Sequence, residues 1–263
     1  MEDITLRTLR ILNEADAIYA EDTRHTLGLL NHYEIKKPLV SCHEHNENAR
    51  AEEIVQRILN GETLAFVSDA GMPGISDPGE RLAAACIKSN VPFEVLPGAS
   101  ASLTALVMSG MKTQNACFVG FLPRSGKERR DMMATLAQHK GTLIIYESPL
   151  RVSATMRELY EIWGERDAAL VREITKHFEE TVRGTLSTIA EKYADVPPKG
   201  ECVIVVSGAA KSEEITVSDI DSMLKKLLKN GMSVKDAAKQ ASAVLGIKKS
   251  DAYERANELK NNL

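Results

Sequence analysis

Val67-Ser68-Asp69-Ala70-Gly71-Met72-Pro73-Gly74-Ile75-Ser76-Asp77-Pro78-Gly79 decides how the rest of the chain is read. The apolar run Thr63–Ser68 ahead of it reads as a buried strand, and the segment from about Gly79 to Ser89 as a helix. Between them lies a loop with three glycines and two prolines. Glycine lets backbone approach a ligand closely, and proline stiffens the loop. In open α/β sheets, ligands sit beyond the carboxyl ends of strands. Asp69, at the strand end, is placed to bond a ligand amine or hydroxyl, or to favour a nearby cation. Asp77, ahead of Pro78 and Gly79, reads as a helix cap with proline at the first helical position. The loop carries neither GxGxxG nor GxxxxGK[ST], so nucleotide hydrolysis and ordinary dinucleotide binding lose support.

Outward from this loop, strands and helices alternate. Ala17–Ala20, Leu39–Cys42 and Phe93–Leu96 read as further strands. Helices are expected near 23–33, over Glu47–Asn60 and over Ser100–Met108, with Ile54, Val55, Ile58 and Leu59 inward on the second. This alternation predicts a parallel sheet covered by helices, an α/β domain over residues 1–112. The chain opens on a helix, with Ile4, Leu6, Leu9, Ile11 and Leu12 as its apolar side and Asp3 as a cap. Residues 110–115 read as a linker. A second α/β domain over 115–210 has strands at Cys117–Leu122, Thr142–Tyr146, Ala168–Ile174 and Cys202–Val206, with an extra strand at 179–184. Its helices fall near 127–138, 150–162 and 185–193. From 213 to 263 the pattern is helical only, at 218–229, 233–244 and 249–261, with turns at Asn230-Gly231 and Leu245-Gly246-Ile247. The last two helices have a helix-turn-helix order.

Other strand ends carry polar groups. Glu21-Asp22-Thr23-Arg24-His25 follows the first strand, and Ser41-Cys42-His43-Glu44-His45-Asn46-Glu47 the second. His43 and His45 with Glu44 invite a metal reading, but an HxH pair alone is weak, so no metal is assigned and substrate positioning is preferred. Asp22 or Thr23 also fits a helix cap. Pro97-Gly98-Ala99-Ser100-Ala101 leaves room for a flat ligand, with Ser100 either capping the next helix or touching that ligand. Glu147 and Glu173 stand at strand ends in the second domain, where buried ion pairing is the competing role.

Composition sets the outer limits. The 263 residues, at roughly 150 per domain, suggest about two domains. The formal net charge is −4, yet Arg124, Lys127, Arg129 and Arg130 cluster against only Glu128. Residues 224–263 hold eight Lys and one Arg against four acids. Both basic tracts point to a phosphate-rich partner, with a solvated helical face as the alternative for the tail. Aromatics make up 5%, which argues against an aromatic-rich surface for stacking single-stranded nucleic acid. No apolar run approaches the ~18 residues of a membrane helix. The four scattered cysteines read as thiols of a reducing cytoplasm.

Together, AEDTRHT at 20–26, SCHEHNE at 41–47, VSDAGMPGISDPG at 67–79, LPGAS at 96–100, FVGFLPR at 118–124, IIYES at 144–148, REITKHFEE at 172–180 and KGECVIVVSG at 199–208 resemble one family. It is the bacterial 16S rRNA (cytidine-2′-O)-methyltransferase family, of the tetrapyrrole methylase-like fold. The resemblance spans essentially the whole chain. It implies a two-domain fold with a helical tail and S-adenosyl-L-methionine as methyl donor, bound between the α/β domains. It implies donor contacts at Asp69, Gly71, Met72, Ser100 and Ala101, and at Tyr146 and Glu173 in the second domain. A ribose hydroxyl is a weak nucleophile, so a general base would help, and Asp22, His43, His45 and Glu147 are the candidates. Arg24, Arg124, Lys127, Arg129 and Arg130 are expected on phosphate. The partner implied is 16S rRNA in the small ribosomal subunit, met in the cytoplasm by a homodimer with no membrane contact. The family's chains open with a strand and a TPIGN-like turn before the segment matching Glu2-Asp3-Ile4-Thr5-Leu6-Arg7. The resemblance therefore implies a first domain lacking its first strand. Competing readings are a tetrapyrrole methyltransferase of the same fold and a non-catalytic RNA-binding module.

Overall fold

A computed structural model describes residues 1–210, 217–230, 232–245 and 247–261. The chain divides into two compact units, Met1–Ala209 and Ala210–Leu263. The start of the tail at 213 and its turn glycines Gly231 and Gly246 lie outside the described residues.

The first unit opens with α1 (Leu6–Glu14), β1 (Ala17–Ala20), α2 (Thr23–His32), β2 (Leu39–Ser41), α3 (Glu47–Leu59), β3 (Leu64–Val67), α4 (Glu80–Lys88) and α5 (Ala101–Ser109). Thr5, not Asp3, caps α1, accepting the Thr8 N–H at 3.0 Å. Leu6 is 85% exposed, so the inward residues are Leu9 and Leu12 of α1, with Ile4 ahead of it, against Ile18, Leu30 and Val67. The strands form a parallel sheet in the order β2-β1-β3. β1 is central, and all four of its side chains are buried, as expected for a strand covered on both faces. Residues 93–96, expected as a strand, pair with nothing among the described residues, and Phe93 and Val95 are exposed. A strand needs a neighbour for its backbone groups. The outer edge of β3 is likewise unpaired among the described residues.

There follow β4 (Cys117–Phe121), α6 (Gly126–Leu136), β5 (Leu143–Glu147), α7 (Val152–Trp163), β6 (Asp167–Arg172), β7 (Glu180–Thr185), α8 (Leu186–Lys192) and β8 (Cys202–Val206). Their sheet has the order β4-β5-β8-β6-β7. It is mixed rather than parallel: β4 and β5 run parallel, and every other pair is antiparallel. The period-2 alternation of strands divides its two cores. Leu143, Ile145, Leu170 and Ile204 face Met156, Leu159 and Ile189 of α7 and α8. Ile144, Ala169, Val171, Val203 and Val205 face Ala105 and Leu106 of α5. Helix α5 thus packs on the second sheet, and Arg183 of β7 donates to the Met108 and Ser109 carbonyls at its end.

The second unit holds α9 (Val217–Lys229), α10 (Val234–Leu245) and α11 (Lys249–Asn261). Small buried residues, Ala237, Ala241 and Ala256, let the helices meet around Leu224 and Leu259. Arg255 of α11 clasps Asp221 of α9 with two bonds, at 2.6 and 2.7 Å. Among the described residues, no helix is long and apolar enough to cross a membrane.

Candidate active site

The carboxyl ends of β1 and β3 are tied together. Asp69 Oδ1 accepts the Asp22 N–H at 3.1 Å, and Glu21 Oε2 accepts the Asp69 N–H at 3.3 Å. His25 Nδ1 lies 3.5 Å from Asp69 Oδ2. Asp22 caps α2 through the Arg24 N–H at 2.8 Å and receives the Arg24 guanidinium on both oxygens. These bonds hold its carboxyl well below the usual carboxylate range, which makes it a weak proton acceptor. Arg24, expected on phosphate, is exposed but spends its charge on Asp22.

The 69–79 loop crosses from one sheet to the other. Gly71, Gly74 and Ser76 all take positive φ, and Gly79 has φ 135°. A Cβ at Gly79 would stand 3.0 Å from the Gly74 nitrogen and 3.1 Å from the Phe66 ring, so only glycine fits. A Cβ at Gly71 would lie 3.7 Å from the Ala99 carbonyl oxygen, and one at Gly98 4.0 Å from the Met72 sulfur. Gly71 and Met72 therefore meet the Gly98–Ala101 junction, where Ser100 caps α5. At the far end of the loop, Ser76 Oγ lies 3.2 Å from where a Cβ on Gly120 of β4 would stand.

Asp77 does not cap α4. Gly79 is the cap residue, and the acceptor comes from Glu47. The buried Glu47 Oε1 takes the N–H groups of Gly79, Arg81 and Leu82 at 2.8, 3.1 and 3.4 Å. Asp77 is left without a hydrogen-bonding partner among the described residues, in a cleft with Glu21, Glu44 and Ser76. Burial, then Glu21, Asp69 and Glu201, push its carboxyl up to about 6. The spacing of Asp77, Pro78 and Gly79 gave no sign of this, because the competing cap lies about thirty residues upstream.

The histidines stand at the end of β2. Their rings meet edge to face with centroids 5.9 Å apart. The His43 N–H donates to Asn46 Oδ1 at 2.8 Å, while His43 Nδ1 is buried without a partner among the described residues.

In the second sheet, alternation turns Tyr146 and Glu147 to opposite faces. Tyr146 lies on the α5 side, with Phe118 and Phe121 edge-on at 5.0 and 5.6 Å. Glu147 is 4% exposed on the α7 side and accepts the Ser148 N–H and the Thr155 hydroxyl at 2.8 and 2.6 Å. Its oxygens are engaged by these bonds and by Arg151, whose Nε lies 3.5 Å from Oε1. Arg129, expected on phosphate, is only 6% exposed and donates to the Pro123 carbonyl, Thr155 Oγ1 and Glu158. Arg124, Lys127 and Arg130 are exposed. Glu173, with φ 51°, accepts the Glu201 N–H and Lys176 Nζ, both at 3.1 Å, which lowers its pKa. It clasps the chain beside Gly200, where a Cβ would strike its carboxylate.

These residues fit a cationic, flat donor. Glu21, Asp69 and Asp77 set negative charge close together, and Gly71, Gly98 and Ala99 expose backbone. The class follows from the matches. A family model described as Tetrapyrrole (Corrin/Porphyrin) Methylases matches residues 1–190, and one described as RsmI C-terminal HTH domain matches 214–260. The fold is similar to that of a uroporphyrin-III C-methyltransferase from Thermus thermophilus complexed with S-adenosylhomocysteine. The TM-score is 0.55 at 19% identity, over 78% of this chain and 91% of that one. A diphthine synthase gives a TM-score of 0.59 at 13% identity, over 78% and 85%. The chain has the tetrapyrrole methylase fold, with a helical C-terminal region.

Within that class, some relatives are much more similar in sequence. A protein named ribosomal RNA small subunit methyltransferase I from Halalkalibacterium halodurans is 40% identical over 258 residues, 96% of this chain and 89% of that protein. One of the same name from Synechocystis is 38% identical over 260 residues, 98% and 93%. The chain belongs to the ribosomal RNA small subunit methyltransferase I family.

Proposed function

We propose that this chain transfers the methyl group of S-adenosyl-L-methionine to the ribose 2′-hydroxyl of a decoding-centre cytidine in 16S rRNA. The observation that carries the rRNA half is the similarity, over nearly the whole chain, to proteins named for small-subunit rRNA. Asp69, Gly71, Met72, Gly98, Ala99 and Ser100 are the residues to hold the donor, which when bound supplies an electrophilic methyl group on a sulfonium. The acidic cluster of Glu21, Asp69 and Asp77 favours that positive charge. The rigid glycine–proline turn fixes the donor site against β4, so alignment supplies much of the rate. The 2′-hydroxyl proton needs an acceptor near this loop. Asp22 is paired with Arg24 and Glu147 faces α7, which leaves His43 and His45 and adds Asp77. Exposed Arg124, Lys127 and Arg130 suit phosphate.

The tetrapyrrole reading rests on the broad family model and on structures under 25% identical, whereas the relatives matched over nearly the whole chain are named for rRNA. Incubation with labelled donor and small subunits lacking the modification tests the proposal. Label in 16S rRNA is expected. Donor binding without any transfer to rRNA would return the chain to the small-molecule or non-catalytic readings.

A further inference from the structure

Helix α5 covers β5, β6, β7 and β8, but β4 lies at the sheet edge beyond them. There, the register shifts between Phe118 and Gly120, and Gly120 has φ 71°. This bulge sets Phe121 on the same side as Phe118. Both rings rest edge-on against Tyr146, yet Phe118 is 37% and Phe121 59% exposed. Three of the chain's few aromatics thus form one open patch. The chain leaving it is pinned by buried Leu122 and by Arg129, which holds the Pro123 carbonyl at 3.0 Å. Directly beyond come Arg124, Lys127 and Arg130, exposed and without carboxylate partners among the described residues. On its other flank, the patch touches the 69–79 loop through Gly120 and Ser76.

We propose that Phe118, Phe121 and Tyr146 form a stacking platform for one unstacked base of the RNA, with Arg124, Lys127 and Arg130 on the neighbouring phosphates. The proposal rests on the RNA reading above. Splayed-out bases stack on aromatic side chains in single-stranded recognition, because every base has a π-face. The platform is preset by its edge-to-face packing, so binding costs little side-chain entropy. Charge selects the occupant. A second copy docking here by two-fold symmetry would bring like-charged loops together, which opposes association. An RNA strand supplies both the ring and the anions.

The test uses the full chain, without donor, and a single-stranded pyrimidine pentanucleotide with a central 2-aminopurine. Stacking quenches its fluorescence. Wild type is expected to bind and quench. Phe121→Leu, which keeps the patch apolar, is expected to lose roughly tenfold to a hundredfold in affinity, with Phe118→Leu as a second variant and Phe121→Trp restoring both signals. Arg124→Gln with Lys127→Gln is expected to weaken binding while leaving the quench at saturation unchanged. Wild-type binding and quenching by Phe121→Leu would overturn the platform. So would a dimer that Phe121→Leu dissociates in sedimentation, or a failure of wild type to quench. Methyl transfer to unmodified small subunits separates the two readings. Transfer by wild type and by Phe121→Leu at equal kcat/KM would sink the platform alone, whereas no transfer by wild type would sink the rRNA reading.

Discussion

The Thr155 hydroxyl donates to Glu147 Oε2 at 2.6 Å beneath the end of β5, where both side chains are buried. Thr155 Oγ1 in turn accepts from Arg129 Nη2 at 2.9 Å, and Arg129 reaches on to the Pro123 carbonyl. One buried chain of bonds therefore links α7, the end of β5 and the root of the basic loop.

Arg129→Met should cost about 2–4 kcal/mol in urea unfolding, because it strands buried acceptors. Arg130→Gln, one residue on and exposed, should stay within about 0.5 kcal/mol of wild type. Equal stabilities for the two would show that the network contributes nothing.

Glu47 stabilises α4 by accepting three N–H groups at its start. Glu47→Ala leaves those donors buried and should cost about 1–3 kcal/mol. Glu47→Gln keeps an acceptor oxygen and should lose less than half of that. Thermal or urea melts of the pair check the ordering.

Asp77 titrates upward on folding, from an ordinary value of 3.8 to about 6. The folded state then binds its proton more tightly than the unfolded state. Its contribution to stability is fully present below about pH 4 and lost as the pH rises through about 6. Burial comes first, then Glu21, Asp69 and Glu201, while Glu44 and Arg81 line the same cleft. Asp77→Asn should gain on wild type by on the order of 2 kcal/mol between pH 4 and pH 7. A constant difference across that range contradicts the assignment.

Lys225, Lys226 and Lys229 are exposed on α9. Replacing all three with Gln should flatten the salt dependence of rRNA binding, by roughly 0.7–0.9 in log–log slope for each phosphate no longer neutralised. An unchanged slope would remove this face from the RNA surface.

Much of the fold was legible because apolar runs mark buried strands. Cys202-Val203-Ile204-Val205-Val206 is buried throughout, as a central strand should be. Residues 93–96 carry the same kind of signal, but a strand is made by its neighbour, and none of the described residues pairs with it. Asp69 and Asp22 were legible as residues at neighbouring strand ends, but the bond that ties them was not. The Glu47 cap was hidden, because it joins residues far apart in sequence. Arg129 reads as one more cation in a basic run, since only the fold shows α6 turning it inward. Composition likewise undercounted the aromatics: 5% is few, yet three of them share one patch.

The central claim is where the methyl group lands. Small subunits lacking the modification, methylated in vitro by this chain with labelled donor, would be digested to nucleosides and resolved by mass spectrometry. The account predicts label in 2′-O-methylcytidine, with the mass increase on the ribose fragment. Label on a base, on ribosomal protein, or nowhere in 16S rRNA would contradict it.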